Sequence, residues 1–351
     1  MYPIILVINP GSTTTKIAIF KGENQLFSEK IVHVSSVLSQ KNFFGTQVDF
    51  RKKLIQKTLA AHDVSMSQIN MIMCRGGLIK PVDSGVYEVN EQMLSDLKNA
   101  QKQHASNLAA VIGWRLSGGK IPVYIADPVV VDELQEVARF AGHKDFERMS
   151  VFHALNHKAV ARRYAASIGR TYESLNLIVA HLGGGISVGA HKKGRVVDVN
   201  QALDGEGAFS PERSGTLPAG DMVRMAYSGV YTKEEMLQKI VGKGGLVSYL
   251  NNNNVQEITA DLNEEKKLIL AAMSYQISKA IGEMAVVLHG NIDAIILTGG
   301  VAHNNIITDV IQNQVSFLAP IKIYAGEDEM KALATNGLLV WRKDLMPKKY
   351  F

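Results

Sequence analysis

The sequence predicts an α/β protein built from two similar domains, and three observations support this. Runs rich in valine and isoleucine alternate with helical stretches, an order that is typical of α/β proteins. The chain has 351 residues, more than one hydrophobic core usually covers. One pattern also occurs twice: near residue 7 and again near residue 178, an apolar strand meets a glycine-containing turn and continues as a second strand. The repeat predicts two domains of one kind with a cleft between them.

Four apolar runs predict strands in the first half of the chain. They are "IILVINP", "TKIAIF", "INMIMCRGG" and "KIPVYIADP", and the last two read as buried strands that end at polar or glycine residues. Between them, "EQMLSDLKNAQ" and "ASNLAAVIGWRLSGG" have the composition of helices. The first half therefore predicts a strand pair followed by alternating strands and helices.

The second half repeats this order with a longer helix near its end. "FHALNHKAVARRYAASIG" predicts a helix that stops at Gly169, and "LNLIVAHLGGGISVGAHKKGRVVDV" predicts three strands separated by turns. "NNNN" predicts a polar loop, and "NIDAIILTGGVAHNNII", "IITDVIQNQVSF", "PIKIYAGEDE" and "MKALATNGLLVWRK" predict strands and helices in alternation. The stretch "LILAAMSYQISKAIGEMAVVLHG" predicts a helix with one apolar face, formed by Ile269, Met273, Ile277, Ile281, Met284 and Leu288.

Composition excludes several classes of protein. Hydrophobic residues make up 46% and charged residues 20%, which is ordinary for a globular protein, and the net charge of +5 suits a small anion without requiring nucleic acid. The one cysteine, Cys74, lies in the apolar run "INMIMC" and is expected in the core, so no intrachain disulfide forms. Because no apolar run reaches about 18 residues, we expect no membrane segment, and a cytoplasmic location fits.

A row of hydroxylated residues interrupts the first strand pair. Asn9 ends the first run, Ser12 and Thr14 follow Pro-Gly, and Lys16 begins the next run. Hydroxyls and backbone N–H groups that end at a cation suit an anion such as phosphate. The same residues also suit a Ser/Thr-rich turn that leads into an edge strand, and this segment alone leaves both interpretations open.

Two glycine clusters follow later strands. Gly183, Gly184 and Gly185 let the backbone approach an anion closely, and the preceding His181 could donate to a phosphoryl oxygen. Gly299 and Gly300 end a buried strand before a helix, where a base, a ribose or a phosphate could contact the backbone. Taken alone, the triple glycine is a weak signal that a buried histidine beside a tight turn also explains, but the hydroxylated row near residue 12 makes phosphate the favoured interpretation. For Gly299 and Gly300, a close strand–helix packing turn is an equally good explanation.

The motifs together resemble a known superfamily. "INPGSTTTK", "HLGGGIS" and "LTGGVAHN" are similar to the two phosphate loops and the adenosine motif of the acetate and sugar kinase, Hsp70 and actin superfamily. "FHALNHK", "PERSGTLPAGD", "CRGGL" and "IADPVVVDEL" resemble segments of its acyl kinases in the right order. Gly184 and Glu212 replace the Asn and Thr that are usual in acetate kinases, and "RGGLIKPVDSGVY" has the form found in butyrate kinases. The resemblance implies two ribonuclease-H-like, or actin-like ATPase, domains with a nucleotide cleft between them.

The resemblance also implies a reaction. An acyl kinase transfers a phosphoryl group reversibly between ATP and a short-chain fatty acid, here with butyrate as the best guess, by direct in-line transfer. Because a carboxylate is already a nucleophile, positioning and charge neutralisation must dominate. The family pattern places Arg75 on the carboxylate and Asp127 where it could orient a cation or that arginine. Arg213 and His181 are expected to stabilise charge on the phosphoryl group.

The expected ligands are ATP or ADP, Mg²⁺ and a small-molecule carboxylate or acyl phosphate. We call the segment from residue 9 to residue 16 the hydroxyl loop. The nucleotide is assigned to this loop and to both glycine clusters: Asn9, Ser12, Thr14, Lys16, Gly183, Gly184, Gly185, Gly299 and Gly300. Mg²⁺ needs hard oxygen ligands. The family's metal-side glutamate falls within "GEDEM", where Glu329 is preferred and Glu327 is held in reserve, because the local match needs a one-residue gap.

Domain boundaries and assembly follow from the same resemblance. Residues 1–149 are expected to form the acyl-substrate side and residues 150–334 the nucleotide-binding domain, with a C-terminal helix over 335–351 that returns to the first domain. A homo-oligomer, at least a dimer, is expected.

Several alternatives remain beside butyrate kinase. The substrate could be isobutyrate, propionate or acetate. A nucleotide-dependent clamp of the actin or Hsp70 type is a non-enzymatic alternative, and a sugar kinase would need an aspartate as base for a hydroxyl. His153 and His157 have the i,i+4 spacing of a zincin, but Ala154 stands where a zincin requires glutamate, so no zinc site is expected.

Overall fold

The computed structural model describes residues 2–34, 38, 42–100 and 104–351. The chain divides into two compact units: unit 1 comprises Met1–Val131 and Asp328–Phe351, and unit 2 comprises Asp132–Glu327. Residues after 131 pack with unit 2, where the Gln135 N–H donates to the Val197 carbonyl at 3.0 Å. The sequence-based boundaries at 149 and 334 stay a prediction about functional domains.

The eleven strands found in the described residues form two sheets. They are β1 (Ile4–Pro10), β2 (Thr14–Lys21), β3 (Asn24–Val32), β4 (Met71–Arg75), β5 (Val86–Glu88), β6 (Val123–Ala126), β7 (Asn176–Leu182), β8 (Ile186–Lys192), β9 (Arg195–Val199), β10 (Ala294–Gly299) and β11 (Ile321–Ala325).

Several of the described helices begin at a capping side chain. Asn90, Asn254, Asn263 and Asp328 each accept a hydrogen bond from a backbone N–H of the helix that follows. The helices within the described residues are α1 (Thr46–Ala61), α2 (Glu91–Asn99), α3 (Asn107–Ser117), α4 (Ala154–Ser167), α5 (Ala219–Ala226), α6 (Lys233–Ile240), α7 (Gly245–Leu250), α8 (Val255–Ala260), α9 (Glu264–Val287), α10 (Asn305–Val315) and α11 (Glu329–Arg342).

Unit 1 is a mixed sheet with strand order β3-β2-β1-β4-β6-β5. The first three strands form an antiparallel meander, and β4 and β6 run parallel to β1. Residues of β1 and β4 are buried almost throughout, as parallel strands covered on both faces require. Helices α3 and α11 both pack on this sheet.

Unit 2 repeats the arrangement with strand order β9-β8-β7-β10-β11. Here β7, β8 and β9 form the antiparallel meander, and β10 and β11 continue parallel to β7. Helix α9 packs on β7 and β8, and α4 packs on β7 and β10. Both units therefore have the strand order expected of ribonuclease-H-like domains, and the carboxyl ends of their parallel strands lie at one edge of each sheet.

The predicted strands and helices are present, with shifted bounds. The helix predicted for "EQMLSDLKNAQ" ends at Asn99, and its Gln101 lies outside the described residues. Within 335–351 only the part up to Arg342 is helical. Cys74 is fully buried, as predicted, and burial raises the pKa of its thiol. The apolar face predicted on α9 is confirmed, since Met273, Ile277, Ile281, Met284 and Leu288 are buried and Ile269 packs against them.

The sequence interpretation missed several elements. These are β3, β5, α1 and the helices α5 to α8. The segment Asn251–Asn254 does form a loop as predicted, between α7 and α8.

Two helical glycines allow a matched test of packing on the sheet. A Cβ at Gly113 would lie 2.6 Å from Cys74 Sγ and 3.0 Å from Val123 Cγ1, whereas one at Gly282 would meet nothing within 4 Å. We expect Gly113→Ala to destabilise the protein by about 1–3 kcal/mol through overpacking. Gly282→Ala should stabilise it by about 0.5–1 kcal/mol, because alanine favours the helix. Thermal denaturation should show midpoints moving in opposite directions, and equal or reversed shifts would contradict this packing of α3.

Candidate functional site

Three polar residues stand at the carboxyl ends of neighbouring strands in unit 1. Asn9 lies near the end of β1, Arg75 ends β4, and Asp127 follows β6. Ile8 pairs with Cys74, and Arg75 pairs with Ala126, so the three residues are adjacent in register. The sheet topology therefore brings together three residues that are far apart in sequence.

Glu329 joins Asn9 and Arg75 from the first turn of α11. Asn9 Nδ2 donates to Glu329 Oε2 at 2.5 Å, and Arg75 NH2 lies 3.4 Å from Glu329 Oε1. Arg75 NH1 lies 3.4 Å from both Asn9 Oδ1 and Glu329 Oε2. The guanidinium of Arg75 stays partly exposed, so it is held in place and can still contact a ligand.

The hydroxyl loop is a tight turn between β1 and β2. The Gly11 N–H donates to the Thr14 carbonyl at 2.8 Å, and Asn9 pairs directly with Lys16 across the strands. Opposed residues of an antiparallel pair share a face, and so do residues two apart on one strand. Asn9, Thr14 and Lys16 therefore share one face, with Ser12 exposed in the turn. This arrangement supports the phosphate interpretation of the loop, which stays a prediction.

A buried arginine supports the same loop from behind. Arg51 of α1 is fully buried, and it donates to the Thr14 carbonyl at 2.7 Å, to Thr15 Oγ1 at 2.8 Å and to the Ser12 carbonyl at 3.0 Å. Burial lowers the pKa of Arg51 to about 10, and burial together with Arg51 lowers the pKa of His33 to about 4. Because a guanidinium is planar and has several donors, it can fix three acceptors at once. The sequence interpretation missed Arg51.

Asp127 is anchored by its surroundings. Its Oδ1 accepts from Ser84 Oγ at 2.6 Å and from the Gly85 N–H at 2.9 Å, and its own N–H donates to the Gly85 carbonyl at 2.9 Å. Asp127 has φ +38°, a backbone conformation that aspartate tolerates better than most residues. These bonds tie the "DSG" turn, residues 83–85, to the end of β6.

In unit 2, the glycine cluster 183–185 forms the turn between β7 and β8. A Cβ at Gly185 would lie 2.0 Å from Arg213 NH1, so the guanidinium rests directly on this glycine. Arg213 NH1 also donates to the Ala202 carbonyl, and Ser210 Oγ donates to the Gly184 carbonyl at 2.6 Å. Burial lowers the pKa of Arg213, which remains a cation. Arg213 is thus held against the glycine loop within unit 2, and its expected role on the phosphoryl group stays a prediction.

Gly299 and Gly300 lie beside this loop. Gly299 has φ +89°, and a Cβ there would lie 2.3 Å from the Leu182 carbonyl oxygen, so only glycine fits between the ends of β10 and β7. Gly300 begins a short 3₁₀ turn, Gly300–His303, and a Cβ on it would meet nothing within 4 Å. Gly299 therefore has a packing role, and Gly300 is open to a ligand.

A groove connects the two glycine clusters. It has a volume of about 250 Å³ and is lined by Gly184, Glu212, Asn253, Gln256 and Gly300, among others. Asn253 Nδ2 donates to Glu212 Oε1 at 2.6 Å, so the polar loop borders the groove. A larger cavity of about 680 Å³ in unit 2 has none of the predicted site residues in its lining. The smaller groove is the better candidate for a nucleotide.

His181 is placed differently from the expectation. It is fully buried, its Nδ1 lies 2.9 Å from Asn156 Oδ1, and its Nε2 lies 2.9 Å from Glu327 Oε1 without forming a hydrogen bond. An amide oxygen only accepts, so Nδ1 carries a proton. To donate from Nε2 as well, the ring would have to be doubly protonated. These contacts favour a supporting role, and the predicted donation to phosphate stays a prediction.

His153 lies beside His181 and, unlike it, is partly exposed. The sequence interpretation had considered His153 only for zinc. Its ring stacks on that of His181 with centroids 3.8 Å apart and an interplanar angle of 11°, and its Nδ1 lies 2.9 Å from Ser187 Oγ. Its position directly before α4 was readable from "FHALNHK", but no local pattern indicates that its ring stacks on His181.

The two candidate glutamates belong to different clusters. Glu329 contacts Asn9 and Arg75 in unit 1, whereas Glu327 lies beside His181 in unit 2. Across residues 2–34, 38, 42–100 and 104–351, no group of three or more His, Cys, Asp or Glu side chains could hold a metal ion. In the same part of the chain, no helix is long and apolar enough to cross a membrane.

Comparisons with known proteins agree with these features. The Acetokinase family matches residues 142–337. Butyrate kinase 2 and butyrate kinase 1 of Clostridium acetobutylicum are 52% and 50% identical to this chain, over 99% of the length of each chain compared. Both matches therefore include all the candidate residues of the two units.

Solved structures support the fold class at much lower identity. Acetate kinase of Porphyromonas gingivalis superimposes with a TM-score of 0.79 at 17% identity, covering 97% of this chain and all of the other. A propionate kinase from Francisella tularensis superimposes with a TM-score of 0.76 at 18% identity, covering 95% and 98%. The predicted fold class is confirmed, and the chain belongs to the acetokinase family.

Proposed function

We propose that this chain is a short-chain fatty acid kinase that transfers a phosphoryl group reversibly between ATP and a carboxylate, with butyrate as the preferred acid. The observation that carries the proposal is the identity of 50–52% along the whole chain to two proteins named butyrate kinase. Isobutyrate, propionate and acetate remain alternative substrates.

The acid is assigned to the cluster of unit 1. Arg75 presents a partly exposed guanidinium, and contacts with Asn9 and Glu329 hold it in place. A planar guanidinium can bind a carboxylate through two parallel hydrogen bonds. Asp127 is proposed to orient a cation or Arg75, and its Oδ1 also anchors the Ser84–Gly85 turn.

The nucleotide is assigned to the groove of unit 2 and to the hydroxyl loop of unit 1. A Cβ on Gly300 would meet nothing within 4 Å, Gly184 also lines the groove beside Glu212, and Asn253 adds a polar edge. Ser12, Thr14 and Lys16 offer hydroxyls and a cation for phosphate oxygens. These assignments extend the family's use of ATP to particular residues of this chain.

Mg²⁺ fits the donors around Glu329. A carboxylate oxygen and the amide oxygen of Asn9 are hard ligands, and Mg²⁺ usually binds one or two protein carboxylates while keeping its waters and the phosphate oxygens. A bound Mg²⁺ would neutralise charge on the phosphates. Glu329 is the preferred residue, because its carboxylate lies beside Asn9, whose Nδ2 donates to Glu329 Oε2 and whose Oδ1 is a further oxygen in the same cluster.

Charge on the transferred phosphoryl group is assigned to Arg213 and to two stacked histidines. Arg213 is fixed against Gly185 and the Ala202 carbonyl. His153 is partly exposed and stacks on buried His181, so His153 is the better donor and His181 its support. This assignment changes the emphasis of the sequence interpretation, which named His181 alone.

Assembly and location are proposed from the family resemblance and from the use of ATP. A homo-oligomer, at least a dimer, follows from the family resemblance, and sedimentation of the purified chain would test it. The cytoplasm suits an enzyme that uses ATP, and fractionation of cells that produce the protein would test that location.

One prediction of the proposed function concerns substrate choice. Purified protein with Mg-ATP and hydroxylamine should yield a trappable acyl phosphate from butyrate. Two extra methylenes buried in an apolar pocket contribute roughly 1.6 kcal/mol, so kcat/KM for butyrate should exceed that for acetate by about 15-fold. Acetate, propionate, butyrate and isobutyrate are compared under one condition. Failure of every acid of two to six carbons would refute the function, and acetate equal to both four-carbon acids would refute the preference.

Another prediction of the proposed function concerns Arg213. Arg213→Ala should lower kcat by about 10² to 10⁴, as loss of a charge-stabilising group does. Gly185→Ala should also lower kcat, by about tenfold or more, because its Cβ would displace the Arg213 guanidinium. Gly142→Ala is the control, since a Cβ there meets nothing within 4 Å.

The double variant decides whether Gly185 acts through Arg213. If it does, adding Gly185→Ala to Arg213→Ala should cost little more, because residues that act as a unit are not additive. Fully multiplicative losses would show that the glycine acts independently of the arginine. An Arg213→Ala kcat within a few-fold of the unmodified protein would remove Arg213 from the mechanism.

A further inference from the structure

A chain of hydrogen bonds runs through the interior of unit 2 and ends at His153. Tyr172 Oη lies 2.7 Å from His191 Nδ1, and His191 Nε2 lies 3.2 Å from His157 Nδ1. His157 Nε2 lies 2.9 Å from Ser187 Oγ, which in turn lies 2.9 Å from His153 Nδ1. We call these five residues the histidine chain.

The inner residues of the histidine chain are buried, and its two inner histidine rings are neutral. His157, Ser187 and His191 are fully buried, and Tyr172 is 3% exposed. Burial, with smaller effects from neighbouring cations that include Lys158, lowers the pKa of His157 and of His191 well below the usual range. Each of these two rings therefore carries one proton, and each must donate from one nitrogen and accept at the other.

Among the described residues Ser187 Oγ contacts only His157 and His153, so its one hydrogen goes to one of these two rings. Together these conditions leave two arrangements of protons. In the first, Tyr172 donates to His191, each ring donates onward from Nε2, and Ser187 donates to Nδ1 of His153. In the second, every bond is reversed, and His153 donates from Nδ1 to Ser187. The arrangements differ at His153, whose Nε2 carries the proton in the first and a lone pair in the second.

The Tyr172 end favours the first arrangement. A phenol is a stronger acid than a neutral imidazole, and an imidazole nitrogen accepts better than a phenol oxygen. The bond from Tyr172 to His191 is also the shortest of the four, at 2.7 Å. Because the bonds are linked, donation by Tyr172 requires each inner ring to donate from Nε2 and Ser187 to donate to His153 Nδ1.

We propose that the histidine chain, directed by Tyr172, holds His153 as the tautomer with its proton on Nε2. Tyr172, His191, His157 and Ser187 are then positioning residues that act through His153. An Nε2–H can donate to a phosphoryl oxygen, whereas a lone pair there would repel it. The use of this donor rests on the proposed kinase function, but the tautomer itself does not.

The direct test is the nitrogen NMR spectrum of the full chain labelled with ¹⁵N-histidine. The protein has ten histidines, and a His153→Asn variant identifies the signals of His153 by their loss. We expect the neutral His153 ring to show a protonated Nε2 and an unprotonated Nδ1. A ring protonated on Nδ1 would overturn the proposal, whether or not the protein proves to be a kinase.

A single-atom change tests the origin of the direction. Tyr172→Phe removes only the hydroxyl, and it should mix the two tautomers of His153 and lower kcat about tenfold, with both KM values within twofold. Tyr164→Phe is the matched control, because Tyr164 packs in the same apolar cluster and lies outside the chain. It should leave the His153 spectrum and kcat unchanged.

Two outcomes would contradict the role of Tyr172. One is a Tyr172→Phe protein whose His153 spectrum and kcat match the unmodified protein. The other is an equal kcat loss in Tyr172→Phe and Tyr164→Phe with no change of tautomer, which would indicate general packing damage. If Tyr172→Phe does not fold, Ser187→Ala breaks the chain nearer to His153 and should mix the tautomers in the same way.

Discussion

Parallel strands that end at a common edge are the constraint on which both candidate clusters depend. In unit 1, β1, β4 and β6 end at Asn9, Arg75 and Asp127, which become neighbours through strand register. In unit 2, β7 and β10 end at the two glycine clusters. The interiors of β1, β4 and β10 are apolar and buried, so the polar and glycine residues of these strands stand where the strands end. The meander order repeated in both sheets therefore determines where this chain can hold anionic ligands.

Buried polar groups fix these edges in place. Arg51 is fully buried and binds two carbonyls and a hydroxyl of the hydroxyl loop, while buried histidines support His153 and His181. A buried polar group that loses its partner costs about 1–3 kcal/mol, so such groups permit few alternative arrangements. Phosphoryl transfer requires this order, because the protein contributes mainly positioning and charge stabilisation.

The central strands of both sheets and the glycine clusters could be predicted from the sequence, since apolar runs that break at glycine are local patterns. Helix α5 and strand β3 could not be predicted in this way, because the residues of α5 are all at least partly exposed and the exposed residues of β3 lack an apolar period. Arg51 and His153 were missed for another reason, because their roles depend on contacts with residues distant in sequence. The contact of His181 with Asn156, which lies on another element, could not be read from a local pattern either.

The central claim is that this chain transfers a phosphoryl group directly to a carboxylate, with no covalent enzyme intermediate. The stereochemical course at phosphorus tests it most directly, using ATP made chiral at the γ-phosphorus with oxygen isotopes. A single in-line displacement inverts the configuration, and we predict inversion in the acyl phosphate formed from butyrate. Retention would require two successive transfers through a phosphorylated residue and would contradict the account.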